Sequence, residues 1–237
     1  MSKIGMRFGL FMMVLVFLVS CDPRQERVLE SLVALDEGDG KAADPARVEE
    51  LKKEIAQSDD TVQKLLTQAQ KTGTFWRQLG LEYFSLEMYQ LSYDALVQAL
   101  QIYPQSPSVF YYMGLSASQL SRTQLDAGQR DRWLSLAVAH HKSALEFRPN
   151  FTEVLYALSL LYSFETEQPE MADPLLNRLI PLTPTDDRAL MLQARVSYQM
   201  GEISLAMEQY GKLAREAKDP GMRTSAAQNL AQIRSGQ

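Results

Sequence analysis

Cysteine is almost missing from this chain of 237 residues: Cys21 stands alone, so no intrachain disulfide can form and no cysteine cluster can hold a metal. Histidine is nearly as scarce. The only two, His140 and His141, are adjacent. Neighbours on a helix point about 100° apart and cannot chelate one ion as an i, i+4 pair does, so the pair reads as a half-buried helix position and no metal site is expected. Basic charge is in deficit, with 24 Lys and Arg against 29 Asp and Glu. That argues against nucleic acid, because phosphate recognition demands a basic stripe. The apolar run Phe8 to Val19 has twelve residues, where a membrane-spanning helix needs about 20. No glycine-rich phosphate loop, G-x-S-x-G elbow or S-x-x-K arrangement occurs in a suitable setting. The carboxylate pairs Asp59-Asp60 and Asp186-Asp187 read as helix-opening caps rather than as an acid and base. No catalytic residue and no cofactor is expected.

What is present is a helical core pattern. Apolar residues make up 46% and charged residues 22%, as in ordinary globular domains. Trp76, Leu79 and Tyr83 fall on one helical face, and Gly80 between them lets a second helix approach closely. That second helix is expected from about Leu91 to Ile102, with Ala95 and Ala99 inward. It must stop at Pro104, which has no amide hydrogen and biases Tyr103 away from helical angles. The whole resembles the tetratricopeptide signature W-x2-L-G-x2-Y…A…P. The resemblance implies an all-α fold, a right-handed α-α superhelix of helical hairpins, and several stacked copies, since one hairpin cannot bury its own apolar face.

Further copies are spaced by Pro104, Pro149, Pro184 and Pro220. The second starts at Val109-Phe110-Tyr111-Tyr112-Met113-Gly114 and closes with Ala137, Ala144 and Pro149. Pro104 and Pro149 lie 45 residues apart against a period of about 34, which places an insert at 119–133, expected to extend a helix or form a partner-contacting loop. The third runs from Val154 through Tyr162, Ala172 and Leu176, with Pro169 opening its second helix. The fourth carries Leu190, Ala194, Tyr198, Gly201, Ala206, Tyr210 and Leu213. A capping helix with Ala226, Leu230 and Ile233 inward occupies 221–237, giving an array over 73–220. Upstream, residues 44–72 read as a degenerate hairpin: one helix opened by Asp44-Pro45, a second opened by Ser58-Asp59-Asp60, and a left-handed cap at Gly73.

The first twenty residues have the positive start, short apolar core and small-residue end of a secretory signal. Leu18-Val19-Ser20-Cys21 resembles the lipobox of bacterial lipoproteins. By that resemblance Cys21 carries covalent lipid and the new amino terminus an acyl chain, which anchors stably where one chain would not. Cleavage near Ser20 to release a soluble protein is the competing reading. Loss of Lys3 and Arg7 with the signal leaves 22 positive side chains against 29 negative, net −7. Residues 21–43 read as a tether with a short helix. The expected location is the bacterial cell envelope, lipid-anchored and facing the periplasm. Asp22 resembles an inner-membrane retention residue, yet either membrane remains open.

In tetratricopeptide arrays the first helix of each hairpin lines the concave side. The resemblance therefore places Arg77, Leu81 and Phe84, then Tyr111, Leu115 and Gln119, then Tyr156, Leu160 and Phe164, then Arg188, Met191, Arg195 and Tyr198 in a partner-binding groove. Aromatic and arginine side chains dominate binding hot spots. The lysine and asparagine clamp of chaperone adaptors is absent, since Arg77, Leu81, Tyr111 and Leu115 hold the matching positions. Two functions follow: a scaffold binding a segment of another envelope protein, or a carrier holding a small hydrophobic molecule among Tyr111, Tyr112, Tyr156 and Phe164 for a partner transporter.

Overall fold

A computed structural model describes residues 44–236. The signal, Cys21, the tether and its short helix lie outside the described residues. The chain divides into two units at Asp60 and Thr61, and each is described by itself.

Among the described residues of the first unit the backbone is helical from Pro45 onward, within helix α1 (Pro45–Ser85). Asp44 caps it, its Oδ1 accepting from the Ala46 amide at 2.9 Å. Arg47 pairs with Glu50 and Lys52 with Glu49, both at 2.8 Å and one turn apart. The hairpin expected over 44–72 is not formed, because α1 runs unbroken for 41 residues. No glycine or proline interrupts positions 46–72. Ser58, Asp59 and Asp60 each cost a helix interior only about 0.5 kcal/mol, less than abandoning and renucleating the hydrogen-bond ladder. They are therefore interior residues, not caps.

The second unit is all-α, without a strand among its described residues. Its helices are the remainder of α1, then α2 (Tyr89–Ile102), α3 (Pro107–Thr123), α4 (Ala127–Phe147), α5 (Thr152–Leu160) continued by a π-helical turn over Leu161–Glu165, α6 (Pro169–Leu179), α7 (Asp187–Gln199), α8 (Ile203–Glu216) and α9 (Pro220–Ser235). Proline opens α3, α6 and α9, where its missing amide hydrogen costs nothing. Successive helices pair as α1–α2, α3–α4, α5–α6 and α7–α8, with α9 covering the last pair. Ala99, Ala137, Ala144, Ala172 and Ala206 are fully buried and set how near the paired helices come. Leu155, Leu158, Leu176, Leu192 and Val196 join residues of α3 to α7 in one continuous core. Each such leucine contributes roughly 1.5–3 kcal/mol by burial.

Gly80 is buried, and a Cβ there would lie 2.7 Å from Leu96 Cγ, so the glycine does permit the close approach read from its spacing. Gly73 is not a left-handed cap. It is helical and buried, and a Cβ would come within 2.8 Å of Ile102 and Tyr103. The Tyr103 hydroxyl donates to the Gln70 carbonyl at 2.7 Å and fixes this contact.

The insert at 119–133 lengthens both helices of the second hairpin, to 17 and 21 residues. Asp126 caps α4 through the Gln129 amide at 2.8 Å. Arg122 and Arg130 converge on Glu165 at 3.0 and 3.4 Å. The extra turns thus reach the end of the π-helical turn in the next hairpin.

Candidate interaction face

Two arginine-on-aromatic pairs organise the face built by α5 and α7. The Arg195 guanidinium lies 4.0 Å from the centroid of the Phe164 ring, and Arg188 lies 5.5 Å from that of Tyr156. Cation–π contact of this kind holds the planar donor group flat. The two arginines differ in what remains free. Arg188 is committed to Asp186, with Nε and Nη2 donating at 3.2 and 3.0 Å. The hydrogen bond from Arg188 holds the Asp186 carboxyl below the usual carboxylate range despite partial burial. Arg195 has no carboxylate within ion-pair distance among the described residues. Tyr198, one turn on, is exposed beside it.

The π-helical turn positions Phe164. Ser163 is buried beside it, its Oγ donating to Gln199 Oε1 at 2.6 Å while Gln199 Nε2 donates to the Ser163 carbonyl at 2.9 Å. The Gln199 side chain of α7 thereby occupies a carbonyl of the π-helical turn, and Phe164 is left exposed. Turns of this type recur at functional sites.

A second cluster lies on α3. Tyr111 meets Tyr112 and Phe151 with ring centroids 5.1 and 5.3 Å apart, and Phe84 reaches Tyr112 and Tyr89 at 5.5 Å each. Burial pushes the Tyr111 and Tyr156 phenols above their ordinary pKa, so both stay neutral donors. Leu81, Leu115 and Gln119 are half-buried. Leu160 and Tyr156 are partly buried against the main core and Met191 against the α7–α9 core. Arg77 lines a shallow hollow of about 360 Å³ with Ile102, Tyr103, Pro104, Gln105 and Ser106.

A larger cavity, about 440 Å³, opens among Ile180, Pro184, Asp187, Leu190, Lys212 and Leu213. Tyr111, Tyr112, Tyr156 and Phe164 line neither cavity. Sequence reasoning passed over Tyr93, whose hydroxyl lies 2.9 Å from His140 Nε2, and Glu165. A lone carboxylate at the end of a helical turn carries no periodic signal that would reveal two arginines of another hairpin around it. Among the described residues no group of three or more His, Cys, Asp or Glu could hold a metal, and no helix is long and apolar enough to cross a membrane.

No protein-family model matches the chain. A curated TPR repeat-containing protein of Borreliella burgdorferi is 22% identical over 172 residues, which is 73% of this chain and 75% of that one. Among solved structures, YrrB, described as a TPR protein with an unusual peptide-binding site, superposes with a TM-score of 0.56 at 18% identity, over 68% of this chain and 75% of its own. MamA of Desulfovibrio magneticus RS-1 gives a TM-score of 0.56 at 15% identity, over 70% and 92%. The helical hairpins described above therefore have the tetratricopeptide-repeat fold.

Proposed function

We propose that this chain is a lipid-anchored, periplasm-facing scaffold that holds an extended segment of another envelope protein along α5 and α7. The observation that carries the reading is the exposed Arg195, set over the Phe164 ring and, among the described residues, without a carboxylate of its own. Such a guanidinium offers a rigid fork to a carboxylate or to backbone carbonyls, and its aromatic support supplies apolar area at little entropic cost. The peptide-binding site named for YrrB is a precedent for segment recognition on this fold. The carrier reading has less support, since the aromatics it relies on do not enclose either cavity. The anchor rests on the lipobox-like Leu18-Val19-Ser20-Cys21.

A photocrosslinking residue placed at Tyr156 or Arg195 in intact cells tests the face. One dominant protein adduct is expected, together with its loss when Phe164→Ala is added to the Tyr156 probe. Adducts of equal yield from a probe at Lys212, on the wall of the other cavity, would refute the assignment. Acyl-probe labelling that survives Cys21→Ser would remove the anchor.

A further inference from the structure

Three of the four hairpin turns carry the backbone into the left-handed region. Gly201, between α7 and α8, has φ +79° and meets no strain, having no Cβ. Glu87, between α1 and α2, and Glu167, between the π-helical turn and α6, have φ +60° and +52°. All three positions do the same job. The next amide folds back onto the helix just ended: Met88 N donates to the Tyr83 carbonyl at 2.9 Å, Gln168 N to that of Tyr162 at 2.8 Å and Glu202 N to that of Ser197 at 2.9 Å, as in a Schellman closure. Glycine makes such a closure without crowding, so glutamate at two of the three turns is strain retained. Neither carboxylate has a basic partner within ion-pair distance among the described residues, so no ion pair there offsets it.

The turns lie together. Successive helices alternate in direction, and contacts run from turn to turn: Arg122 and Arg130 of the second reach Glu165 of the third, and Ser163 of the third bonds Gln199 at the fourth. The edge they form is apolar as well as acidic. Leu86, Met88, Leu125, Met171, Met200 and Ile203 are exposed there, Leu125 completely. At the opposite ends of α2 to α8 the exposed large apolar residues, among the described ones, are Phe147 and Leu182. Glu82, Glu170 and Glu202 join Glu87 and Glu167 in having no ion-pair partner among the described residues. Of the basic groups nearby, Arg122 and Arg130 are held by Glu165, Arg132 is offset by the adjacent Asp131, and Arg195 lies over Phe164 on the adjoining face. Asp126 caps α4. Carboxylates are left in excess.

We infer that this edge, from Leu86 to Ile203, is a docking surface distinct from the α5–α7 face, and that its occupant is a cationic amphipathic helix of a partner protein. Such a helix repeats its apolar stripe every 5.4 Å and so meets a row of separate apolar points. Three of those points are methionines, which adapt their shape to the stripe. Lysine or arginine along its margins answers the unpaired glutamates. The same carboxylates repel an anionic bilayer. Glutamate at the two strained turns places charge at that margin, which glycine could not.

Fluorescence anisotropy with a labelled model helix of leucine and lysine, about 18 residues long, tests the docking on the chain from residue 21 onward carrying Cys21→Ser. Saturable binding is expected, at least about tenfold weaker after Met200→Ser with Ile203→Ser. Glu87→Gly with Glu167→Gly should weaken it roughly fivefold and reduce its salt dependence, yet raise the urea midpoint, because glycine relieves the backbone. Leu182→Ser at the opposite edge and Arg195→Ala on the α5–α7 face should leave the affinity within about twofold. Circular dichroism of each variant checks that the hairpin array is intact. No saturable binding, equal binding of a helix with glutamate in place of lysine, or a loss as great in Leu182→Ser overturns the inference. So does weakening by Arg195→Ala, which would move the helix to the α5–α7 face. Tighter uptake by phosphatidylcholine vesicles, abolished by Met200→Ser with Ile203→Ser, would give the edge to lipid and overturn it too. A lower urea midpoint in the double glycine variant would remove the strain on which it rests.

Discussion

Acidification should unload stability from one histidine. His141 has no exposed surface, its ring occupies the space beside Gly114, and neither ring nitrogen has a hydrogen-bond partner. The titratable neighbours are His140 and Tyr111, the latter with its ring centroid 6.0 Å away. Burial, with a smaller repulsion from His140, lowers the His141 pKa from 6.5 to about 4. The unfolded chain therefore binds this proton near pH 6.5 and the folded chain only near pH 4. Stability is whole above pH 6.5 and falls as the pH drops through that window, by about 3 kcal/mol at its foot and about 2 kcal/mol by pH 5. His141→Leu keeps a side chain of similar size and removes both orphaned nitrogens. Urea unfolding followed by circular dichroism at pH 7.5 and pH 5 should show the variant losing about 2 kcal/mol less than wild type between the two. Carboxylates and His140 titrate in both proteins and cancel in the comparison. Equal losses would refute the argument, for then His141 is either solvated or already paired.

Gly114→Ala should lower the urea midpoint by the equivalent of about 1–3 kcal/mol, since its methyl would lie 2.6 Å from the His141 ring; His141→Ala in the same chain should recover most of the loss. Glu165→Gln leaves Arg122 and Arg130 without their shared carboxylate, and the cost should stay near 1 kcal/mol and shrink at high salt, as for other surface pairs. A loss of several kcal/mol would mean that the extended hairpin depends on this junction. Ser58→Pro should reduce helical ellipticity through α1 while the unfolding midpoint of the hairpin array stays in place; unchanged ellipticity would argue against a continuous α1.

Proline positions and small-residue spacing made the hairpin stack legible, because both act locally: Pro104 and Pro220 end or open helices by their own covalent geometry, and Ala99 or Ala144 can only be a close contact. The stretch around Ser58 was not legible. An aspartate at a cap and one inside a helix differ in their surroundings, and the energy separating the two is under 1 kcal/mol per residue. Gly73 misled for a similar reason, since a glycine ending a helix and a glycine admitting a neighbour look alike until the neighbour is placed. On the face itself, the pairing of Arg195 with Phe164 joins two hairpins 31 positions apart, a distance that helical periodicity does not bridge.

The widened turn at Leu161–Glu165 sets the angle at which Phe164 leaves its helix. One surplus amino acid in an otherwise regular coil turns everything beyond it by about 100°, and here what lies beyond includes the ring on which Arg195 rests. Excising a single residue from the bulge would undo that offset. It should swing Phe164 off the Arg195 guanidinium and strand the amide of Gln199, without unseating the hairpin beneath.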